Sequence, residues 1–274
     1  MRIIQISDTH LSPTHGFFAA NLAATARWLA ADDPALIVHT GDLSMDGAGT
    51  AEELAAAAKW SGCFAPLVLS VPGNHDVGDH AAIKPTQTVD DSRLAAWRTA
   101  VGPDRWSLDR GGWRLVGLNA MLLGTGHAEE DAQFAWLEAT LNTALPVALF
   151  LHKPLFIEDP AEGPHGYWTV TPEPRRRLMS LMAGANVRLV ASGHLHVHRQ
   201  FRHGDIDYVW GPAASFVCGD SQPDLGGARS LGAVEHVFGP DSVTSRFIRP
   251  EGLEDLTIEP VQHILYPRPA EKVQ

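Results

Sequence analysis

Five short apolar runs, each closed by residues able to bind a cation, constrain this chain more than any other feature. Arg2-Ile-Ile-Gln-Ile-Ser7 leads into Asp8 and His10, and Leu36-Ile-Val-His-Thr40 passes through Gly41 into Asp42. Leu67-Val-Leu-Ser-Val71 leads through Pro72-Gly73 into Asn74 and His75, Val147-Ala-Leu-Phe-Leu151 ends at His152, and Val187-Arg-Leu-Val-Ala191 runs on to His194 and His196. Short apolar runs bounded by turn signals fit buried strands. A strand that stops at a polar tip puts that tip at the carboxyl edge of its sheet, where open α/β sheets bind ligands. The runs therefore predict five strands delivering their tips to one edge of one sheet, with Asp42 as a carboxylate bridging two metal ions.

Between the runs, Phe17 to Leu29 carries apolar residues at helical spacing until Asp32-Asp33-Pro34 stops it. Thr50-Ala-Glu-Glu53 fits a capping box opening a helix through Trp60, closed by Gly62. This completes a βαβαβ unit and predicts a parallel sheet with right-handed crossovers. Val77 to Val89 reads as a loop, Asp91 to Val101 as a helix, Trp113 to Leu118 as a strand entering Asn119, and Asp131 onward as a helix. Glu158 to Val170 is a long loop with His165, Tyr167 and Trp168, the composition of a substrate-binding edge, and Thr171-Pro172 opens a helix through Met182. Past residue 197 the rhythm changes to two hairpins, 197–202 with 206–210 and 232–238 with 243–248, expected to form a second, mostly antiparallel sheet stacked on the first. Residues 1–250 are expected to form one domain, with 251–274 a proline-rich tail.

The 45% hydrophobic content over 274 residues supplies a substantial core. A formal charge of −11 argues against a stable nucleic-acid partner, which needs a basic surface. An anionic substrate would then need local positive charge, and bound metals supply it. Cys63 and Cys218 have no CxxC partner and read as reduced thiols of a cytoplasmic protein. Neither a secretory signal nor a membrane-spanning run is expected.

Singly, each tip has an ordinary reading: a capped strand end for Asp8 and His10, a turn for Asp42, a core histidine for His152. His39, with buried-looking neighbours, is read as such a core histidine. Gly73-Asn-His-Asp76 is more specific, and Gly193-His-Leu-His196 more so, since it presents two imidazoles to one point. Mixed carboxylate, amide and imidazole donors suit first-row ions such as Mn, Fe, Zn or Co. A shared carboxylate would hold two of them about 3.5–4 Å apart.

Together these blocks resemble the calcineurin-like metallophosphoesterase superfamily, whose pattern D-x-H, G-D, G-N-H-(D/E), H, G-H-x-H is met in order from Asp8 to His196. The resemblance implies an α/β fold, a four-layer α/β-β/α sandwich of two stacked mixed sheets flanked by helices, and a dinuclear centre of divalent or mixed-valence ions. By analogy Asp8, His10, Asp42 and His196 hold one metal, and Asp42, Asn74, His152 and His194 the other. His75 and the bridging Asp42 are then the catalytic candidates. A metal-bound hydroxide attacks a phosphate ester, and His75 serves as general acid or donor. Asp76 either orients His75 or caps the turn.

In the protein Ser/Thr phosphatase branch the second block reads G-D-x-V-D-R-G, its arginine clamping a dianionic monoester. Here Asp46 stands in the arginine's place, and the third block ends in Asp76 where that branch commonly has Glu. An acid at that position repels a dianion. The chain looks closer to class III cyclic nucleotide phosphodiesterases and bacterial glycerophosphodiesterases, so a hydrolase of small phosphodiesters with low selectivity is expected. The alternatives are a phosphomonoesterase or nucleotidase of the same superfamily, with Arg110 or Arg114 reaching the phosphate, and a catalytically silent scaffold. A DNA repair nuclease is disfavoured by the acidic balance. His15, Phe17, Phe18, His165, Tyr167 and Trp168 are candidates for the pocket rim, with Asn119 and His198 as supporting or surface residues. Family analogy admits a homo-oligomer through the C-terminal hairpins.

Overall fold

The computed structural model describes residues 1–64 and 67–265. Its first half runs β1 (Arg2–Ile6), α1 (Ala19–Asp32), β2 (Ile37–His39), α2 (Ala51–Ser61), β3 (Val68–Ser70), α3 (Asn74–Val77), α4 (Asp91–Ala100), β4 (Trp106–Arg110) and β5 (Trp113–Leu118). Then follow α5 (Ala128–Leu141), β6 (Val147–Leu151), α6 (Pro172–Ala183), β7 (Val187–Ser192), β8 (Arg199–His203), β9 (Ile206–Trp210), β10 (Ala233–Phe238), β11 (Val243–Ile248) and α7 (Gln262–Leu265). None of the helices among the described residues is long and apolar enough to cross a membrane.

The strands form two sheets, in the orders β11-β10-β1-β2-β3 and β4-β5-β6-β7-β9-β8. The expectation of a single sheet is therefore corrected: β1, β2 and β3 deliver their tips from one sheet, β6 and β7 from the other. The late hairpins do not build a sheet of their own. β10–β11 pairs antiparallel with β1, Arg2 opposite Val237, and β9 pairs parallel with β7, Leu189 opposite Asp207. Each hairpin thereby covers the backbone groups that an unpaired β1 or β7 edge would leave exposed.

Strand alternation explains the layering. Ile3 points between the sheets and packs with Val38, Phe150, Leu189 and Val209 from both of them, whereas Ile4 and Ile6 point outward against Leu29 of α1. On the far face, Leu149 and Leu151 of β6 pack with Phe134, Leu137, Leu178 and Met182 of α5 and α6. The result is the four-layer α/β-β/α sandwich.

One local expectation changes, and two further features were not read from the sequence. The capping box at Thr50 does not close, because Glu53 is recruited elsewhere: it accepts the Ser12 hydroxyl at 2.6 Å and the Asp46 N–H at 2.7 Å. Strand β4 escapes the apolar pattern, since it is an edge strand with exposed Ser107, Asp109 and Arg110, turning into β5 through Gly111 and Gly112 at φ 58° and 79°. The described part of the stretch from 251 is bonded back onto the chain: Val217 donates its N–H to Leu256 O (2.9 Å), and Ile258 donates its own to Val217 O (3.3 Å). The expectation for 266–274 lies outside the described residues.

Candidate metal centre

Of six non-glycine residues with left-handed φ among the described residues, five are Asp8 (52°), His10 (41°), Asp42 (53°), His194 (71°) and His196 (52°). The sixth, Asp33, ends α1. Non-glycine residues rarely take this region, and holding one in a sparsely populated conformation costs on the order of 1–3 kcal/mol. Strain of that kind collects at functional sites, and here it turns each chain sharply off its strand end. Cross-bonds hold the turns together: His10 N–H to Asp42 O (3.0 Å), His75 N–H to Asp42 Oδ1 (2.8 Å), and His194 N–H to Asp8 Oδ2 (3.0 Å).

The tips from the two sheets converge into one buried cluster. His10 Nε2 lies 3.1 Å from His196 Nε2, 3.8 Å from Asp8 Oδ1 and 3.6 Å from Asp42 Oδ2. His152 Nε2 lies 3.3 Å from Asp42 Oδ2, 3.3 Å from Asn74 Oδ1 and 3.2 Å from His194 Nδ1. Asp42 Oδ2 thus sits between both groups. All seven predicted ligands are brought together, and none is more than 4% exposed.

The outer nitrogens decide what the inner ones can do. His152 Nδ1 donates to Thr40 O (2.7 Å), His196 Nδ1 to Phe216 O (2.7 Å), and His194 Nε2 to Tyr167 O (2.8 Å). A carbonyl only accepts, so the neutral form of each ring turns a lone pair inward, as metal-ligating histidines do. His10 is the exception, its Nδ1 buried without a hydrogen-bond partner. Asp8 Oδ1 is likewise buried without a hydrogen-bond donor. An orphaned carboxylate oxygen facing inward imidazole lone pairs is a donor set suited to a pair of first-row cations.

The electrostatics agree. Burial opposes ionisation of Asp42, yet the imidazoles of His152 and His75 hold its carboxyl well below the usual range, and His196 and His152 do the same for Asp8. Burial disfavours the His152 imidazolium, but Asp42 and Asp8 outweigh it and raise His152 to about 9. The carboxylates hold positive charge in the cluster, and protons and metal ions compete for the same lone pairs. His10 and His194 are pushed well down, first by burial and then by neighbouring imidazoles.

His75 stands beside this set. Its Nδ1 donates to Met45 O (2.7 Å) and its ring meets His10 edge-on at 4.7 Å, while burial is the main cause lowering its pKa. Asp76 does not orient it. The Asp76 carboxylate accepts the N–H groups of Leu43 (3.1 Å), Ser44 (3.0 Å) and Gly73 (3.0 Å) and the Ser44 hydroxyl (2.7 Å), so it clamps the two turns. His39 is the core histidine expected, set between Thr9 Oγ1 (3.1 Å) and the Gly41 N–H (3.2 Å).

A cavity of about 400 Å³ opens over the cluster. Tyr167 and Trp168 line it as expected. His15 and Phe18 instead line a neighbouring hollow of about 310 Å³, Phe17 stacks on His15, and His165 pairs with Glu162. Asn119 caps the turn at Met121, and His198 donates to Trp210 O. Arg114 pairs with Asp109 at the start of β5, the sheet end opposite His152, and Arg110 sits in register with Trp113 there, so neither reaches the site. Asp46 bonds Gln87 at 2.7 Å and is not among the described lining residues, so the expected repulsion of a dianion has no counterpart in the wall. Lys84, Phe216, Gln222, Ile258 and Gln262 line the cavity without having been singled out. Lys84 sits in the polar 77–89 loop expected near the site; the others carry no periodic signal.

A four-layer sandwich with a buried Asp, Asn and His cluster at one end of its sheets is the architecture of metal-dependent phosphoesterases. The chain belongs to the calcineurin-like phosphoesterase family, whose profile matches residues 1–198. It is 30% identical over 152 residues to the human serine/threonine-protein phosphatase CPPED1, covering 53% of this chain and 46% of that protein. Its bovine counterpart is 28% identical over 202 residues, 71% of this chain and 59% of that protein. The chain thus spans about half the length of the curated relatives it matches. A dimetal phosphatase from Danio rerio has the same fold, with a TM-score of 0.60 at 15% identity, covering 94% of this chain and 98% of that one. So does the yellow lupin purple acid phosphatase PPD1, with a TM-score of 0.65 at 14% identity, over 92% and 52%.

Proposed function

We propose that this protein hydrolyses small phosphodiesters at a dinuclear centre of Mn, Fe, Zn or Co ions. Asp8, His10, Asp42 and His196 hold one ion, and Asp42, Asn74, His152 and His194 the other. Bound there, such a pair supplies Lewis acidity toward phosphoryl oxygens and makes water nucleophilic near neutral pH. Asp42 positions both halves of the site at once, since Oδ2 faces the two groups while Oδ1 holds the His75 backbone N–H. With Nδ1 committed to Met45 O, His75 handles a proton at Nε2. An anionic ester arriving beside it favours the imidazolium, which donates to the departing oxygen.

The observation that carries the preference for diesters is the wall of the cavity. Outside the metal cluster its described lining holds one charged side chain, Lys84, and no arginine, and it is otherwise rich in apolar and aromatic groups such as Tyr167, Trp168, Phe216 and Ile258. A dianionic monoester calls for a bidentate guanidinium clamp. A monoanion carrying two organic groups suits a site with one amine and apolar walls. Lys84 itself favours a second reading, a phosphomonoesterase, and the relatives are named phosphatases. Turnover of bis(p-nitrophenyl) phosphate and p-nitrophenyl phosphate by protein reconstituted with Mn, Fe or Zn decides between them. Faster diester cleavage is expected, and the reverse order selects the monoesterase.

A further inference from the structure

The family profile ends at residue 198, yet much of the wall around the cluster comes from beyond it: Phe216, Cys218, Ser221, Gln222, Ile258 and Gln262. Two stretches far apart in sequence supply these residues, and they are bonded to each other. Besides the backbone exchange between Val217 and residues 256 and 258, Glu259 Oε1 accepts the Gly219 N–H at 2.7 Å and the Ser221 hydroxyl at 2.6 Å. Ile258, 5% exposed, packs with Phe18, Met45 and Phe216, and the Phe216 ring lies 4.6 Å from that of His196. The remaining aromatic wall, Tyr167 and Trp168, stands over the other half of the cluster, with the Tyr167 ring 4.6 Å from His194 and its hydroxyl 3.4 Å from the Asn74 amide.

We propose that the segment from Leu256 to Gln262, latched by Glu259 onto residues 219–221, is the selectivity element of this chain. With Phe216, Tyr167 and Trp168 it forms a subsite for an uncharged aromatic group on the phosphate ester. The chemistry of the wall selects for this. Apolar and ring side chains reward a flat, desolvated group, Gln222 and Gln262 offer neutral polar contacts, and nothing outside the cluster except Lys84 is there to pair with a charge. Glu259 acts as a positioning residue, since it touches the wall rather than the ligand.

The inference rests on the phosphoesterase reading, and a binding experiment separates the two. The full chain loaded with manganese is titrated calorimetrically with the monomethyl esters of phenylphosphonate and of methylphosphonate, monoanions like a phosphodiester, which share a headgroup and differ in the ring. The phenylphosphonate ester is expected to bind at least about tenfold more tightly, less than full burial of a phenyl ring supplies. Ile258→Asp and, separately, Glu259→Ala should each bring that ratio to within about twofold of unity, at unchanged manganese stoichiometry. Glu259→Ala keeps the test valid where Ile258→Asp fails to fold. A wild-type ratio near one, or a ratio that survives in a folded variant, overturns the selectivity element alone. Absence of binding by either ester overturns the phosphodiesterase reading and the proposal with it.

Discussion

The Nε2 atoms of His10 and His196 lie 3.1 Å apart, and the unpaired Oδ1 of Asp8 is 3.8 Å from one and 3.4 Å from the other. With its Nδ1 donating to Phe216 O, neutral His196 turns Nε2 toward Asp8 Oδ1 as a second acceptor, and two acceptors 3.4 Å apart in a buried site repel unless positive charge sits between them. Binding energy therefore becomes folding energy. An ion at about a hundred times its dissociation constant stabilises the fold by about 2.7 kcal/mol, roughly 5–10 °C in Tm for a domain of this size. Calorimetry of chelated protein with and without manganese measures the shift, and His196→Ala should remove much of it. A Tm indifferent to metal would show that the cluster binds none.

Asp42 and His75 predict opposite signatures. Asp42→Asn weakens the one donor common to both halves, so the metal stoichiometry should fall from two to one or fewer as turnover collapses. His75→Ala should keep both ions and lower turnover by about 10²–10⁴, the usual worth of a positioned proton donor. Elemental analysis of each variant beside its steady-state kinetics makes the comparison. Loss of metal from His75→Ala would move His75 into the ligand set.

The residues that meet in the cluster were legible as a group because each is local: a cation-binding side chain just past a strand end, preceded by glycine at Asp42, Asn74 and His194. The spacing survives any rearrangement of the strands among sheets. Sheet membership is not local. Nothing in the side chains of Ala233–Phe238 says that they pair with β1 rather than with β8, because the bonds that decide it come from backbone common to every residue. The Thr50 capping box misled for a related reason, since Glu53 found stronger donors in Ser12 and Asp46 through tertiary contact. The cavity wall was least legible. Phe216 and Ile258 are single apolar residues in irregular segments, and only their meeting around the cluster gives them a role.

Gly41 has φ 95°, and a Cβ there would stand 2.6 Å from His152 Nδ1 and 2.8 Å from its Cγ. Alanine is strained by the dihedral and forces the imidazole off Thr40 O. Gly41→Ala should cost about 1–3 kcal/mol in urea unfolding from the backbone alone. Manganese affinity should fall in the same variant, because the displaced ring is one of the candidate ligands. Unaltered affinity would mean that His152 is not held where the cluster needs it.

Lys153 Nζ meets both carboxylate oxygens of Asp79 at 2.9 Å, with the two side chains 4% and 3% exposed. Removing one member strands the other charge in the interior, a loss of about 3–5 kcal/mol, whereas an apolar pair of similar size is close to neutral. Lys153→Met should therefore be strongly destabilising, and Asp79→Leu added to it should recover much of the loss. Denaturant unfolding of both singles and the double variant completes the cycle. Additive losses would show that the two side chains are not coupled.

His236 supplies the pH dependence of stability. Its ring is buried, Nε2 donating to Gln5 Oε1 at 3.0 Å and Nδ1 accepting the Ser245 hydroxyl at 2.8 Å. Burial, reinforced by His198, depresses its pKa to about 3, against an ordinary value of 6.5. Between those values the unfolded chain binds a proton that the native state refuses. The stability contributed by neutral His236 is thus complete above about pH 6.5 and is lost as pH falls toward 3, at up to about 1.4 kcal/mol per pH unit. His39, depressed to about 3 mainly by burial, adds in the same direction. Urea midpoints at pH 7.5, 6 and 5 should fall in sequence, and His236→Gln, which keeps a polar group but cannot titrate, should remove about one proton's worth of that slope. An equally steep slope in the variant would place the acid sensitivity elsewhere in the fold.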